Sequence, residues 1–351
     1  MSGVPGFDDD EGTPTDDVGA GQPRARRWLR RTIAVLAVVV VVSLAAGFFY
    51  AFTLQRSVSA NLQRVPDLLP SDSPSSSAEA PRPTKPTTGR AANSINVVLM
   101  GSDSRDTSDS GAGRSDVLMV AHLDADRKQA YVVSFPRDMW VAIPDHGKAK
   151  INAAFAYGGP KLTVRTLEGL LDTRMDHVAL MDFEGFVNLT KDLGGVTVTN
   201  KYASTSQGFH FPVGKITIQG DQALAYVRER HQLPHGDLDR AQRQRIVVQA
   251  ILAKGLSGDT ITNPAKFKAF VTQLSTYMQV DDSLTDAELR KVALSLRLTG
   301  SDVQLLQAPI AGFGTIRGQS VDVVDEPRLK ELAEALKDDD MASYLEKYPR
   351  G

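Results

Sequence analysis

Apolar and polar positions along the chain fall into two periods. Short runs rich in β-branched residues occur at INVVLMG (95–101), DVLMVAHLD (116–124), AYVVSFP (130–136), HVALMDF (177–183), GVTVT (195–199) and VQLLQAP (303–309). Gly, Pro and Asp bound them, which is the pattern of sheet strands. Between them lie segments with helical spacing: INAAFAYG (151–158), LTVRTLEGLL (162–171), EGFVNLTKDLGG (184–195), DQALAYVR (221–228) and DRAQRQRIVVQAILAKGL (239–256). Three more follow at PAKFKAFVTQLSTYM (264–278), TDAELRKVALSL (285–296) and PRLKELAEALKD (327–338). Strands interleaved with helices predict an α/β fold, a three-layer α/β/α sandwich with a central mixed sheet. There is no internal repeat.

The pattern changes near the N-terminus. Residues 1–31 are polar, acidic first and then basic, with Arg24, Arg26, Arg27, Arg30 and Arg31. From Ile33 to Phe52 there is no charge. At ~1.5 Å per residue that stretch crosses a ~30 Å hydrocarbon core. A cleaved signal peptide competes, given small Ser43, Ala45 and Ala46, but its apolar region is usually about 7–15 residues. An uncleaved single-pass anchor over 32–54 is preferred. Five arginines precede it, so the tail should be cytoplasmic and the bulk of the chain extracellular. Residues 66–90, rich in Pro, Ser and Thr, read as an extended spacer. The expected organisation is thus a tail (1–31), an anchor (32–54), a linker (55–90) and one catalytic domain (91–351).

Composition narrows the function. The 351 residues carry a formal net charge of −2 and 42% hydrophobic residues, an ordinary globular balance that does not favour nucleic acid. With no Cys there is neither a disulfide nor a thiolate nucleophile. The six His form no HExxH pattern, and Pro234 breaks the helix that the His231/His235 spacing would need, which argues against zinc. No Walker A or G-x-G-x-x-G motif supports nucleotide binding.

Candidate chemistry lies at strand ends. After INVVLMG comes a Gly-Ser loop with Asp103, Arg105, Arg114 and Asp116. Two carboxylates suit Mg2+, and arginines suit the anion it bridges; turn-building Asp and Ser are the plain alternative. Arg137 follows a strand and a proline, where a surface ion pair with Asp138 is the ordinary reading. Lys150 precedes a helix that Asn152 would cap. Arg228 and Arg230, if extended, point to one side and suit a pyrophosphate. In the next helix Ile246, Val247, Ala250 and Ile251 form the expected buried stripe, with Arg240, Arg243 and Gln244 opposite and Asp237 or Asp239 as cap. Together these groups suggest phosphoryl transfer, which depends on positioning and charge neutralisation.

The ordered motifs GSDSR, GRSDVLMVAHLD, SFPRDMWV, KINAAFAYGG, DHVALMDFEGF, LGGV, GDQALAYVRERH and DLDRAQRQR resemble the LytR-CpsA-Psr family. The likeness covers residues 95–255 and continues through APIAGFGTIRGQSVDV. It implies a membrane-anchored phosphotransferase that moves an anionic glycopolymer, of teichoic acid or arabinogalactan type, from a polyprenyl-pyrophosphate carrier to peptidoglycan. The new phosphodiester would form at the C6 hydroxyl of N-acetylmuramic acid. By motif match, Asp103 and Asp116 would hold Mg2+, with Mn2+ as substitute. Arg114, Arg137, Arg228 and Arg230 would surround the pyrophosphate, while Asp237, Arg240 and Gln244 complete the site. Arg105 and Lys150 would be further pyrophosphate contacts. Asp239 stands where the family commonly has glycine, and Arg245 where it commonly has a second glutamine. Two rivals stand beside it: a polyprenyl-pyrophosphate hydrolase, which would use the same residues, and a non-catalytic lipid-binding or regulatory protein, which would bind lipid without turnover and tolerate loss of Asp103.

Overall fold

The computed structural model describes residues 53–72, 81–102 and 115–349. The expected anchor lies outside the described residues except for positions 53 and 54. Among the described residues no helix is long and apolar enough to cross a membrane.

In chain order the elements begin with α1 (53–61), β1 (Gln63–Val65), β2 (Ile95–Ser102), β3 (Ser115–Leu123), β4 (Ala130–Ser134), β5 (Trp140–Ile143) and β6 (Gly147–Lys150). They continue with α2 (Ala153–Leu171), β7 (His177–Asp182), α3 (Phe183–Asp192), β8 (Val196–Asn200), β9 (Ser204–Ser206), β10 (Phe209–Phe211) and β11 (Gly214–Ile218). Then come α4 (Gly220–Arg228), α5 (Asp237–Gly255), α6 (Gly258–Ile261), α7 (Pro264–Tyr277), β12 (Gln279–Asp281) and α8 (Asp286–Ser295). The chain closes with β13 (Val303–Gln307), β14 (Ile310–Ile316), β15 (Gln319–Val324), α9 (Glu326–Asp338) and α10 (Met341–Lys347).

A seven-stranded mixed sheet forms the centre, in the order β1-β12-β7-β2-β3-β4-β13. Alternation along β3 explains the layers, because successive side chains leave opposite faces. Leu118 and Val120 join a core with Leu167 and Leu171 of α2 and Leu332 and Leu336 of α9. Met119, with Val117 and Ala121, packs instead towards Val248 and Leu252 of α5. The expected α/β/α layering is therefore present.

Helix ends follow local chemistry. Thr285 and Glu288 form a reciprocal capping box on α8, and Asn263 caps α7 with Pro264 in its first turn. The two helical runs expected on either side of Gly158-Gly159-Pro160 are both present within α2, separated by a kink at the non-helical Gly158 and Gly159, the latter at φ +62°.

The stretch read as a spacer makes specific contacts with the domain. β1 pairs in parallel with β12 at the sheet edge. Leu68 is buried in the main core at 2% exposure. Arg82 donates from Nη2 to Glu168 Oε1 (2.7 Å) and to the Met175 carbonyl (2.8 Å), with side chains 5% and 2% exposed for Arg82 and Glu168. Composition underrated the segment because a few well-placed groups fix a strap that has no periodicity.

Candidate active site

The site lies at one end of the sheet. β2 and β7 run parallel and end there at Ser102 and Asp182. β3, antiparallel to β2, begins there at Ser115, and β4 and β13, parallel to each other, end there at Ser134 and Gln307. Ligand sites of α/β sheets favour such strand ends, where loops from several strands meet.

Between β2 and β3 the register passes from Gly101 opposite Val117 to Ser102 opposite Ser115. Asp116 is thus the extra residue of a bulge, a device that re-aims a side chain beside a functional site. A Cβ at position 101 would lie 2.9 Å from the Val117 Cβ, which explains the glycine there. Asp103, Arg105 and Arg114 lie outside the described residues, as does the Asp116 side chain. Among the described residues no group of three or more His, Asp or Glu could hold a metal. The donor chemistry of the loop nevertheless fits Mg2+: Asp103 follows Ser102, Asp116 follows Ser115, and those serines face each other in the register.

After β4, backbone bonds set the turn that carries Arg137. The Asn152 N–H donates to the Arg137 carbonyl (3.2 Å), Ile151 to Met139 (2.8 Å) and Asp322 to Asp138 (2.9 Å). Asn152 sits at the expected cap position, but its side chain makes no cap bond. Arg137 pairs with Asp138 (Nε to Oδ2, 3.7 Å), as the plain reading expected, and also with Asp237 (Nη2 to Oδ1, 3.4 Å). Lys150 binds Asp138 at 2.8 Å.

Asp237 is the hub. Its Oδ1 faces Arg137 and, at 3.7 Å, Arg230, while its Oδ2 accepts from Arg240 Nη2 at 2.8 Å. The expected capping role falls away. The α5 N-cap is Gly236, without a side-chain cap bond, and the Asp239 carboxylate instead accepts the His235 N–H at 2.8 Å.

Two further expectations are corrected. Arg228 and Arg230 do not share one face of an extended strand, because Arg228 is the last residue of α4 and Glu229 is its extended C-cap. The Arg228 guanidinium stacks over Phe183, 3.9 Å from the ring centroid. Arg240, Arg243 and Gln244 are not a solvated face but are buried, since α5 packs against β8, α4 and β13. Gln244 donates to the Val227 carbonyl (3.4 Å), tying α5 to the turn that carries Arg228.

Two residues join the site that the sequence reading did not place in it: Asp322, which it passed over, and Arg245, which it noted only as a departure from the family motif. Asp322 of β15, only 5% exposed, has Oδ2 buried without a hydrogen-bond partner. Burial, with the Asp138 and Asp237 carboxylates adding to it, raises its carboxyl to about 6, against the opposing pull of Lys150 and Arg137. A lone acid inside the apolar alternation VDVV was the available signal. The other is Arg245, which reaches Ser134 and Gln307 at the sheet end. Among the described groups, cationic Arg137, Lys150, Arg228, Arg230, Arg240 and Arg245 outnumber the acids Asp138, Asp237 and Asp322, a balance suited to a multiply charged anion.

Comparison with known proteins gives this geometry a context. The profile of the family described as LytR_cpsA_psr matches residues 69–338. The polyisoprenyl-teichoic acid–peptidoglycan teichoic acid transferase TagU of Enterococcus faecalis is 35% identical over 245 residues, covering 69% of this chain and 78% of that protein. The crystal structure of B. subtilis TagV superposes with a TM-score of 0.60 at 26% identity, covering 70% of this chain and 98% of that one. The structure of TagT bound to LI-WTA gives a TM-score of 0.55 at 29% identity, covering 74% and 96%.

Proposed function

The chain belongs to the LytR-CpsA-Psr family, and on that premise we propose that it moves an anionic glycopolymer from a polyprenyl-pyrophosphate carrier to peptidoglycan. One observation carries the reading: Asp237 gathers Arg137, Arg230 and Arg240 at the end of the sheet, where a pyrophosphate would be held. Likeness to a teichoic acid transferase supports the same substrate class.

In this reading the C6 hydroxyl of N-acetylmuramic acid attacks the phosphorus next to the sugar. A new P–O bond forms, the pyrophosphate bridge breaks, and polyprenyl phosphate leaves. Arg137, Arg228 and Arg230 stabilise the charge that gathers on the phosphoryl oxygens. Arg240 and Gln244 act mainly by position, one through Asp237 and the other through the Val227 carbonyl. Lys150 orients Asp138 beside Arg137. The hydroxyl proton passes to a carboxylate of the cluster. Asp322, raised to about 6, is suited to accept it. Asp103 and Asp116, with Arg105 and Arg114 on the same loop, would hold Mg2+ or Mn2+, which when bound would neutralise pyrophosphate charge. The 32–54 segment would anchor the chain in the bilayer that holds the carrier, with the domain extracellular.

The test uses the full chain in detergent, a short-prenyl pyrophosphate-linked glycan and a peptidoglycan oligomer, read by mass spectrometry. A phosphate-linked adduct, absent from Arg137→Ala, is the expected result. Prenyl phosphate released without adduct would identify a hydrolase. Bound lipid with no turnover would identify a binding protein.

A further inference from the structure

Arg245 stands apart from the arginines that Asp237 gathers, yet it lies at the same end of the sheet. Its Nη1 donates to Ser134 Oγ at the end of β4 (2.7 Å) and to Gln307 Oε1 at the end of β13 (3.0 Å). Both partners are neutral, and among the described residues no carboxylate pairs with it. Burial pulls its pKa down to about 10. A guanidinium taken from water without a counter-ion is costly, so such groups are normally paired or ligand-bound. Its Nε and Nη2 make no hydrogen bond among the described residues. They form the side of the guanidinium that grips two oxygens at once.

We propose that Arg245 binds a phosphoryl group of the anionic substrate in a niche between the ends of β4 and β13, with Ser134 and Gln307 fixing the guanidinium plane. The proposal rests on the glycopolymer-transferase reading and extends its binding site. Ser134 precedes Arg137 by one short turn, so the niche adjoins the arginine cluster. The bound oxyanion belongs to the carrier's pyrophosphate or to a phosphate of the polymer, and the chemistry recognised is the same.

Calorimetric titration of the full chain in detergent, with inorganic pyrophosphate and separately with glycerol 3-phosphate, tests this on wild type and Arg245→Gln. The variant should bind at least one of them about tenfold or more weakly, as expected for losing a charge-assisted pair of hydrogen bonds. Weakening confined to pyrophosphate assigns the niche to the carrier, and weakening confined to glycerol 3-phosphate assigns it to the polymer. Thermal unfolding of the free variant should occur at or above the wild-type midpoint, since a buried unpaired charge has gone. Unchanged affinity for both ligands with a lowered midpoint overturns the proposal and makes Arg245 a tie between two strands. If wild type itself binds neither ligand, the transferase reading falls first. Should Arg245→Gln not fold, Arg245→Lys keeps the charge without the fork: affinity weakened by about threefold or more sustains the proposal, and wild-type affinity overturns it.

Discussion

A single carboxylate organises the arginines of this site. Asp237 touches Arg137, Arg230 and Arg240, so its loss removes an ionic partner from three guanidiniums at once. Asp237→Asn should therefore cut adduct formation by about a hundredfold or more, a larger fall than for Lys150→Ala, as measured by initial rates. Asp322 makes a prediction about pH. Its folded pKa lies above the ordinary value of 3.8, so its stabilising contribution is complete below about pH 4 and is lost as pH rises through about 6. Asp322→Asn keeps the shape but removes the charge. It should unfold about 1–3 kcal/mol less readily than wild type at pH 7.5 and alike near pH 4. Equal stability at both pH values would remove the account of a strained buried carboxylate. The acid was hard to see beforehand, because one Asp in a short alternating run reads as a solvent-facing position until its neighbours are known.

Among the elements, the long regular ones were legible and the short ones were not. All six expected strands and every expected helical run are present. β1, β9, β10 and β12 are three residues long, too short for a period to register. The β14–β15 hairpin carries Gly312, Gly314 and Gly318, which dilute its apolar pattern even as it brings Asp322 beside Asp138. The strap over residues 63–72 and 81–90 is the larger surprise. Because Glu168 is buried against Arg82, Arg82→Ala should leave an unpaired internal charge and cost about 3–5 kcal/mol. Replacing both partners by apolar residues of similar size should restore much of that loss. Urea unfolding of the single and double variants checks the pair.

For the whole molecule the prediction concerns metal. Chelation of the full chain should stop adduct formation, added Mg2+ or Mn2+ should restore it, and Asp103→Ala should remain inactive after readdition. Wild-type turnover in chelator would set aside a metal held by Asp103 and Asp116 while leaving the arginine cluster intact. The distribution of charge fits this division of labour. The chain as a whole is nearly neutral at −2, yet among the described residues cations prevail at the end of the sheet. Composition averaged over 351 residues hides that local excess.

The sequence by itself determined the alternation of strands and helices and the ordered motifs of the family. Each of these depends on residues within a few positions of one another, where backbone geometry imposes periods of 2 and 3.6. Tertiary structure decided which groups meet. It buried Arg240, Arg243 and Gln244, because α5 is covered by packing on more than one side and has little face left for water. It brought Asp237 to Arg137, Asp322 to Asp138, and Arg245 to Ser134 and Gln307. Such contacts join residues far apart in the chain, and no local period encodes them. Only the closing of the sheet and its two helical layers places their charges within reach of one another and away from water.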